Sequence, residues 1–412
     1  MSRRRVAITG MAGFSPIGND WPSIQANLRA LRSGVQHMAE WAEYEGLNTQ
    51  LAAPVTPFEL PADGYNRKRT RSMGRVALMA VRTTELALID AGLLGDAILT
   101  SGRTGVAYGS STGSPDAVSD FGKMLWNKST EGVNANSYLK MMGHTTAVNI
   151  AVYFGLCGRL YTTSSACTSG SQGIGYAYEA IRNGTATVMI AGGAEELSVT
   201  EAAVFDTLFA TSTLNHAPDS TPRPYDSNRD GLVIGEGAGT LILEDYDHAL
   251  ARGATIHAEL VGFASNCDGS HVTQPNARTM AVAMQLALDD AGLSATDIGY
   301  VNGHGTATEH GDIAETHATN QVFGPRVPIS SLKSYMGHTL GACGALEAWL
   351  TIEMMNNNWF APTLNLDIPD SRCAELDYIS GAGRDMACAY TVSNNFAFGG
   401  INTSLVFKKT RA

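Results

Sequence analysis

The feature that most constrains how this chain folds is an echo inside it. "ELALIDAGL" at 85–93 and "QLALDDAGL" at 285–293 share Leu, Ala, Leu, Asp, Ala, Gly and Leu at matched positions. Each reads as the end of an amphipathic helix, with Gly92 or Gly292 where a left-handed backbone closes it. Each is soon followed by a short β-like segment, "TGVAYGS" at 104–110 and "IGYVNGHG" at 298–305. A repeated order of helix, glycine cap and strand favours a duplicated unit over a chance likeness. Further strand candidates are short apolar runs bounded by glycine or charge: "RVAITGM", "VMIAGGA", "GTLILED", "HAELVGFA" and "NTSLVFKK". Helical stretches alternate with them near 74–91, 170–183, 279–291 and 342–356. Such alternation implies parallel sheets covered on both faces. The stretches 35–70, 110–140 and 211–230 read as loop-rich insertions on that frame.

Bulk properties exclude several classes. A net charge of -11 argues against a nucleic-acid binder, whose affinity rests on neutralising phosphates. Only 16% of residues are charged against 44% hydrophobic, which suits a chain that buries part of its surface in a dimer. The cysteines at 157, 167, 267, 343, 373 and 388 form no CxxC pair, so neither a zinc site nor a disulfide framework is signalled. "MSRRRVAITG" starts basic but has no apolar core or cleavage site, so no secretory signal is expected. No apolar run approaches the ~20 residues that span a bilayer. The expectation is a reduced, cytoplasmic enzyme without a membrane segment.

Cys167 stands among serines and threonines in "TTSSACTSGSQGIGYAYEAIRNG" (162–184), at the turn into a helix beginning near Ser169. A thiol there meets unpaired N–H groups and the positive end of the helix dipole, which lower its pKa and favour it as a nucleophile. An inert buried thiol in a small-residue turn fits the same stretch, and Cys167 alone leaves both readings open. Two histidines tip the balance. His304, in "VNGHGTATEHGD", follows a strand between glycines, with Thr306, Thr308 and Asp312 close behind. His338, in "SLKSYMGHTLGACGALEA", occupies a glycine-flanked turn shortly after Lys333. Two imidazoles at such turns, beside a helix-terminal thiol, favour a catalytic site over satisfied core histidines.

At these residues the chain resembles a known family. "SSACTSG", "NGHGTATEHGD", "SLKSYMGHTLGA" and "SNNFAFGGINTSLVF" resemble the four signature blocks of elongating β-ketoacyl-acyl carrier protein synthases. "RVAITGMAGFSPIGND" and "PRPYDSNRDGLVIGEGAG" extend the resemblance over nearly the whole chain. It implies an α/β, thiolase-like fold of two duplicated halves in a layered αβαβα arrangement. Residues 1–250 would carry the nucleophile, and 251–412 the catalytic His, Lys and His. The implied activity is acyl transfer, a decarboxylative condensation of an acyl-cysteine with a malonyl-carrier protein.

The resemblance also implies roles. Cys167 would carry the acyl group, and the N–H groups of Cys167 and Phe398 would form an oxyanion hole. His304 and His338 would hold the enolate left by decarboxylation, with Lys333 ordering them through Glu347. A solvent-facing Glu347 is the alternative reading. Thr306 and Thr308 would bind the phosphopantetheine arm, and Asp312 would belong to the polar network beside them. Phe396, Phe398 and Gly399 would line or gate the acyl pocket. No resident cofactor or metal is implied, because phosphopantetheine arrives on the carrier protein. Three positions depart from the family's common pattern: Asn395 for Ser, Ala397 for Gly, and Glu309 for Pro. They suggest a stiffer gate, a more acidic entrance and an unsettled chain, whether fatty acid, polyene or polyketide. Arg67, Lys68, Arg69 and Arg71 form the densest basic run and are the expected dock for an acidic carrier protein. A homodimer is expected, with pairing to a related subunit as the other arrangement. Competing functions are a chain-length factor, which lacks the nucleophile, and a coenzyme A thiolase, which has Cys where His338 stands. A cysteine hydrolase would not need the second histidine.

Overall fold

The computed structural model describes residues 3–410. Its first half runs β1 (Val6–Phe14), α1 (Arg75–Asp90), β2 (Thr104–Gly109), α2 (Thr145–Phe154), β3 (Leu160–Thr162), α3 (Ser169–Arg182), β4 (Val188–Glu195) and β5 (Gly237–Asp245). The second half repeats that order as β6 (Ala258–Cys267), α4 (Ala277–Ala291), β7 (Ile298–Asn302), α5 (Glu309–Phe323), β8 (Pro328–Ser330) and α6 (Cys343–Asn356). It then adds β9 (Asp377–Tyr378) before β10 (Tyr390–Ala397) and β11 (Ile401–Lys409). The strands join in one sheet in the order β9-β8-β7-β10-β11-β6-β1-β5-β4-β2-β3. The halves meet where β1 and β6 pair antiparallel, Val6 opposite Leu260 and Ile8 opposite Ala258.

The echo does the same work in both halves. Gly92 and Gly292 close α1 and α4 with φ of 67° and 68°. The matched aspartates each accept a backbone N–H from the strand beneath, Asp90 from Met11 at 2.9 Å and Asp290 from Phe263 at 3.3 Å. α1 and α2 cover the outer face of the first half, while α4 and α5 cover that of the second. α3 and α6 touch each other and strands of both halves, so they form the central layer. That position explains why α6 is buried around almost its whole circumference, Glu347 included.

Two expectations are corrected. The sheet is not wholly parallel, because β5 and β11 run antiparallel to both of their neighbours. β11 follows β10 after only Phe398, Gly399 and Gly400, too few residues for a crossover helix. The stretch 110–140 is also not loop-rich, since it folds into helices Pro115–Asn127 and Ala135–Met141. No helix among the described residues is long and apolar enough to cross a membrane.

Candidate active site

Cys167, His304 and Lys333 lie just beyond the C-terminal ends of strands that pair parallel within their own half, the usual place for a site in such a sheet, and His338 follows in the turn after Lys333–Met336. Cys167 follows β3 in a tight turn, Ala166–Thr168, that leads into α3. Its neighbour Ala166 is held at φ 52°, a backbone region that non-glycine residues seldom occupy and that recurs at functional sites. A second tight turn, Leu340–Ala342, leads into α6. The helix starts cross closely: a Cβ on Gly170 would lie 2.8 Å from Ala345 N, and one on Gly344 2.5 Å from Ser171 N. Glycine at both positions is what lets two helix N-termini converge on one thiol. Cys343, at the start of α6, donates its S–H to the Cys167 carbonyl at 3.1 Å.

The structure brings Cys167, His304 and His338 together. His338 Nε2 lies 3.0 Å from Cys167 Sγ, and its Nδ1 accepts the Leu340 N–H at 3.2 Å. Because Nδ1 accepts, the ring proton sits on Nε2 and points at the sulfur. The His304 and His338 ring centroids are 5.2 Å apart and nearly perpendicular, and donor atoms of all three side chains fall within 4.8 Å of one another. Burial pushes both imidazoles well below the usual histidine range, and the Lys333 ammonium adds to the effect. They are therefore neutral donors at neutral pH. A cation held by these three groups would need a thiolate.

The thiol departs from its sequence expectation. Burial pushes Cys167 up to about 11, although Lys333 and the N–H groups of Phe398 and Cys167 pull the other way. The helix N-terminus is present, but desolvation outweighs it. Those same two N–H groups are the pair expected to form the oxyanion hole.

Lys333 and Glu347 form a buried ion pair, so Glu347 does not face solvent. Burial favours neutral forms of both, whereas the mutual attraction keeps Lys333 charged. Among the described residues neither group hydrogen-bonds an imidazole, although a Glu347 oxygen lies within 4.8 Å of a His304 ring nitrogen. Asn395 stands between them, donating to Glu347 Oε2 at 2.7 Å and reaching His304 Nδ1 at 3.4 Å.

The first turns of α5 hold the His304 loop. Glu315 accepts the N–H groups of His304 and Gly305, and Asp312 accepts those of Thr306 and Ala307 at 3.0 and 3.2 Å. Burial pushes Glu315 up to about 7 and Asp312 to about 6. Glu195 ends β4 and ties the His338 turn to the first half by accepting Gly341 N–H at 3.0 Å and Ser111 N–H at 2.8 Å. Glu195, Glu315 and Cys343 carried no motif of their own in the sequence.

A cavity of about 500 Å³ opens over this floor, lined by Cys167, His304, His338, Thr306, Thr308, Phe396 and Phe398 among others. Thr306 and Thr308 share a hydroxyl hydrogen bond at 2.8 Å on its wall. Phe398 packs against Phe205, and Phe396 faces His304 with centroids 6.0 Å apart. Gly399 lies outside the lining but turns the loop at φ 87° and donates to Val272 O at 2.7 Å. Glu309 does not leave the entrance simply acidic, because Arg372 pairs with it. Arg67, Lys68, Arg69 and Arg71 are exposed but do not line this chain's cavity, and Arg69 stacks on Tyr153 at 3.8 Å.

A duplicated α/β fold with a buried cysteine facing two neutral imidazoles defines an acyltransferase of the thiolase-like class. The chain belongs to the β-ketoacyl synthase family, matching its N-terminal domain over residues 3–249 and its C-terminal domain over 257–367. It is 37% identical over 421 residues to 3-oxoacyl-[acyl-carrier-protein] synthase 2 of Vibrio harveyi, covering 99% of both chains. The crystal structure of a β-ketoacyl synthase from Burkholderia phymatum STM815 superposes with a TM-score of 0.98 at 61% identity, covering 99% of this chain and 100% of that one. The ishigamide ketosynthase/chain length factor superposes with a TM-score of 0.91 at 31% identity, covering 100% of both.

Proposed function

We propose that this enzyme elongates an acyl chain carried by an acyl carrier protein, in fatty acid synthesis or a related pathway, by decarboxylative condensation. The observation that carries this reading is the convergence of two neutral imidazoles, His304 and His338, on the Cys167 sulfur. In the first step Cys167 sulfur attacks the acyl thioester carbonyl, and the N–H groups of Cys167 and Phe398 hold the oxyanion. The carrier's thiol leaves with the proton that Cys167 gives up. With a thiol near 11, the thiolate is a minor species before substrate arrives, and proton loss accompanies attack.

A malonyl thioester then enters along Thr306 and Thr308. Its carboxylate leaves as CO2, and the electron pair of the broken C–C bond passes into a thioester enolate. His304 and His338 each give one hydrogen bond to the enolate oxygen, worth ~3 kcal/mol apiece where donors are preorganised in a dry site. The enolate carbon attacks the acyl-Cys167 carbonyl, the C–S bond breaks, and the 3-oxoacyl thioester departs. The released thiolate takes one proton from solvent. No cofactor of the enzyme's own enters these steps.

The carrier protein is the partner by this reading, consistent with the name of the Vibrio harveyi relative, and Arg67, Lys68, Arg69 and Arg71 are its proposed dock. We place the enzyme in the cytoplasm as a homodimer, with a ketosynthase/chain length factor pair as the alternative assembly. Cys343 does not favour thiolase chemistry, because its thiol is engaged by a backbone carbonyl and burial pushes it well above the usual range. Incubation with acyl- and malonyl-carrier protein, followed by weighing of the carrier-bound products, tests the function. A product two carbons longer bearing a 3-oxo group is expected. Transfer to water or to coenzyme A without chain extension would overturn it.

A further inference from the structure

Asn395 sits at the one position in the catalytic blocks where an amide replaces the serine common in such sequences, and its side chain is fully buried. The two imidazoles are not oriented alike. His338 has a backbone N–H, from Leu340, to fix its Nδ1 as the acceptor. Among the described residues His304 has no backbone donor at its ring, and the group within reach of its Nδ1 is Asn395 Nδ2 at 3.4 Å.

We infer that Asn395 is a positioning residue that sets the tautomer of His304, so that the ring proton lies on Nε2 and faces the substrate. The inference rests on the condensation proposed above. Lys333 occupies one oxygen of Glu347, which leaves Oε2 to accept from Asn395 Nδ2 at 2.7 Å. That contact decides which end of the amide is the donor, since an amide oxygen there would face a carboxylate oxygen. The second hydrogen on Nδ2 has two acceptors in reach, His304 Nδ1 at 3.4 Å and Cys343 Sγ at 3.7 Å, and the nitrogen is the nearer and stronger acceptor. The chain of groups Lys333–Glu347–Asn395–His304 thereby carries the effect of a buried ion pair to an imidazole that the pair itself does not hydrogen-bond. Asn395 Oδ1 has no hydrogen-bond partner among the described residues and sits where a Cβ on residue 344 would be 2.9 Å away. The amide therefore occupies space that Gly344 leaves open, and its Nδ2 contacts are what hold it there.

The test uses full-length enzyme carrying 15N-labelled histidine, with the His304 ring signals assigned by their loss in His304→Ala. Wild type is expected to show His304 protonated at Nε2. Asn395→Asp puts an acceptor opposite Nδ1, so the proton should move to Nδ1. Malonyl decarboxylation should then fall about a hundredfold, the low end of the range for loss of one oxyanion donor, while acylation of Cys167 falls far less. Asn395→Ser, which is shorter and keeps the fold's packing under less charge strain, should give a mixture of both tautomers and a smaller loss. His304 remaining Nε2-protonated in both variants, with decarboxylation and acylation unchanged relative to each other, would overturn the inference. If wild type itself neither decarboxylates malonyl-carrier protein nor acylates Cys167, the functional reading fails instead, and the two failures are told apart.

Discussion

Burial, with Lys333 nearby, keeps His304 and His338 neutral well below pH 6.5, so each has a single ring proton to donate. Glu315, pushed up to about 7, is the group that touches the His304 backbone and titrates in the working range, with Asp312 following near 6. As pH falls through about 7 Glu315 gains a proton and loses acceptor capacity for the His304 and Gly305 N–H groups. Activity should therefore decline on the acid side near pH 7 while both ring signals keep neutral-form NMR shifts down to about pH 6. Ring signals that titrate in step with activity would contradict the assignment. Residue identity was legible in the sequence here, because three motifs carry Cys167, His304, Lys333 and His338. Their protonation was not. A helix-terminal cysteine reads as a low-pKa thiol, and only the fold shows that burial outweighs the dipole and moves Cys167 up to about 11. Glu195 and Glu315 escaped notice for a related reason, since a carboxylate that catches backbone N–H groups across the chain leaves no local pattern.

The central crossing of α3 with α6 sets the site at the scale of elements. Gly344→Ala would put a methyl carbon 2.5 Å from Ser171 N and 2.9 Å from Asn395 Oδ1, and the first of these belongs to a helix backbone that cannot rotate away. The change should cost ~1–3 kcal/mol through overpacking and lower turnover more than carrier-protein binding, because it spreads the turns holding Cys167 and His338. A thermal melt and steady-state kinetics on the same sample check both parts, and wild-type values for both would contradict this packing. The helices themselves were readable from apolar periodicity and glycine caps, and α1, α3, α4 and α6 fall within a few residues of the expected spans. Strand direction was not readable. β11 runs against β10 because only three residues join them, whereas β5 follows a long connection, and apolar runs encode neither direction. The helices within 110–140 were hidden by the turn-forming stretches around them, "GSSTGSP" and "NKSTEGVNAN".

Across the whole molecule, a chain of charge -11 must offer an acidic partner a local positive surface. Arg67→Glu with Lys68→Glu removes charge without disturbing the Arg69 stack on Tyr153, and should raise KM for carrier-bound substrates while kcat changes little. High salt should mimic the variant. Normal KM at low salt would exclude this surface as the dock. The fold also divides the proposed chemistry between its halves, with the thiol supplied by the first and both imidazoles by the second. That division gives the most direct test of the account. CO2 release from malonyl-carrier protein is measured beside mass-detected acylation in folded Cys167→Ala, His304→Ala and His338→Ala. Cys167→Ala should lose acylation and keep decarboxylation. Each histidine variant should still acylate Cys167 and lose decarboxylation by a hundredfold or more, about the effect of one oxyanion donor. Decarboxylation lost with Cys167 yet intact in both histidine variants would contradict the account.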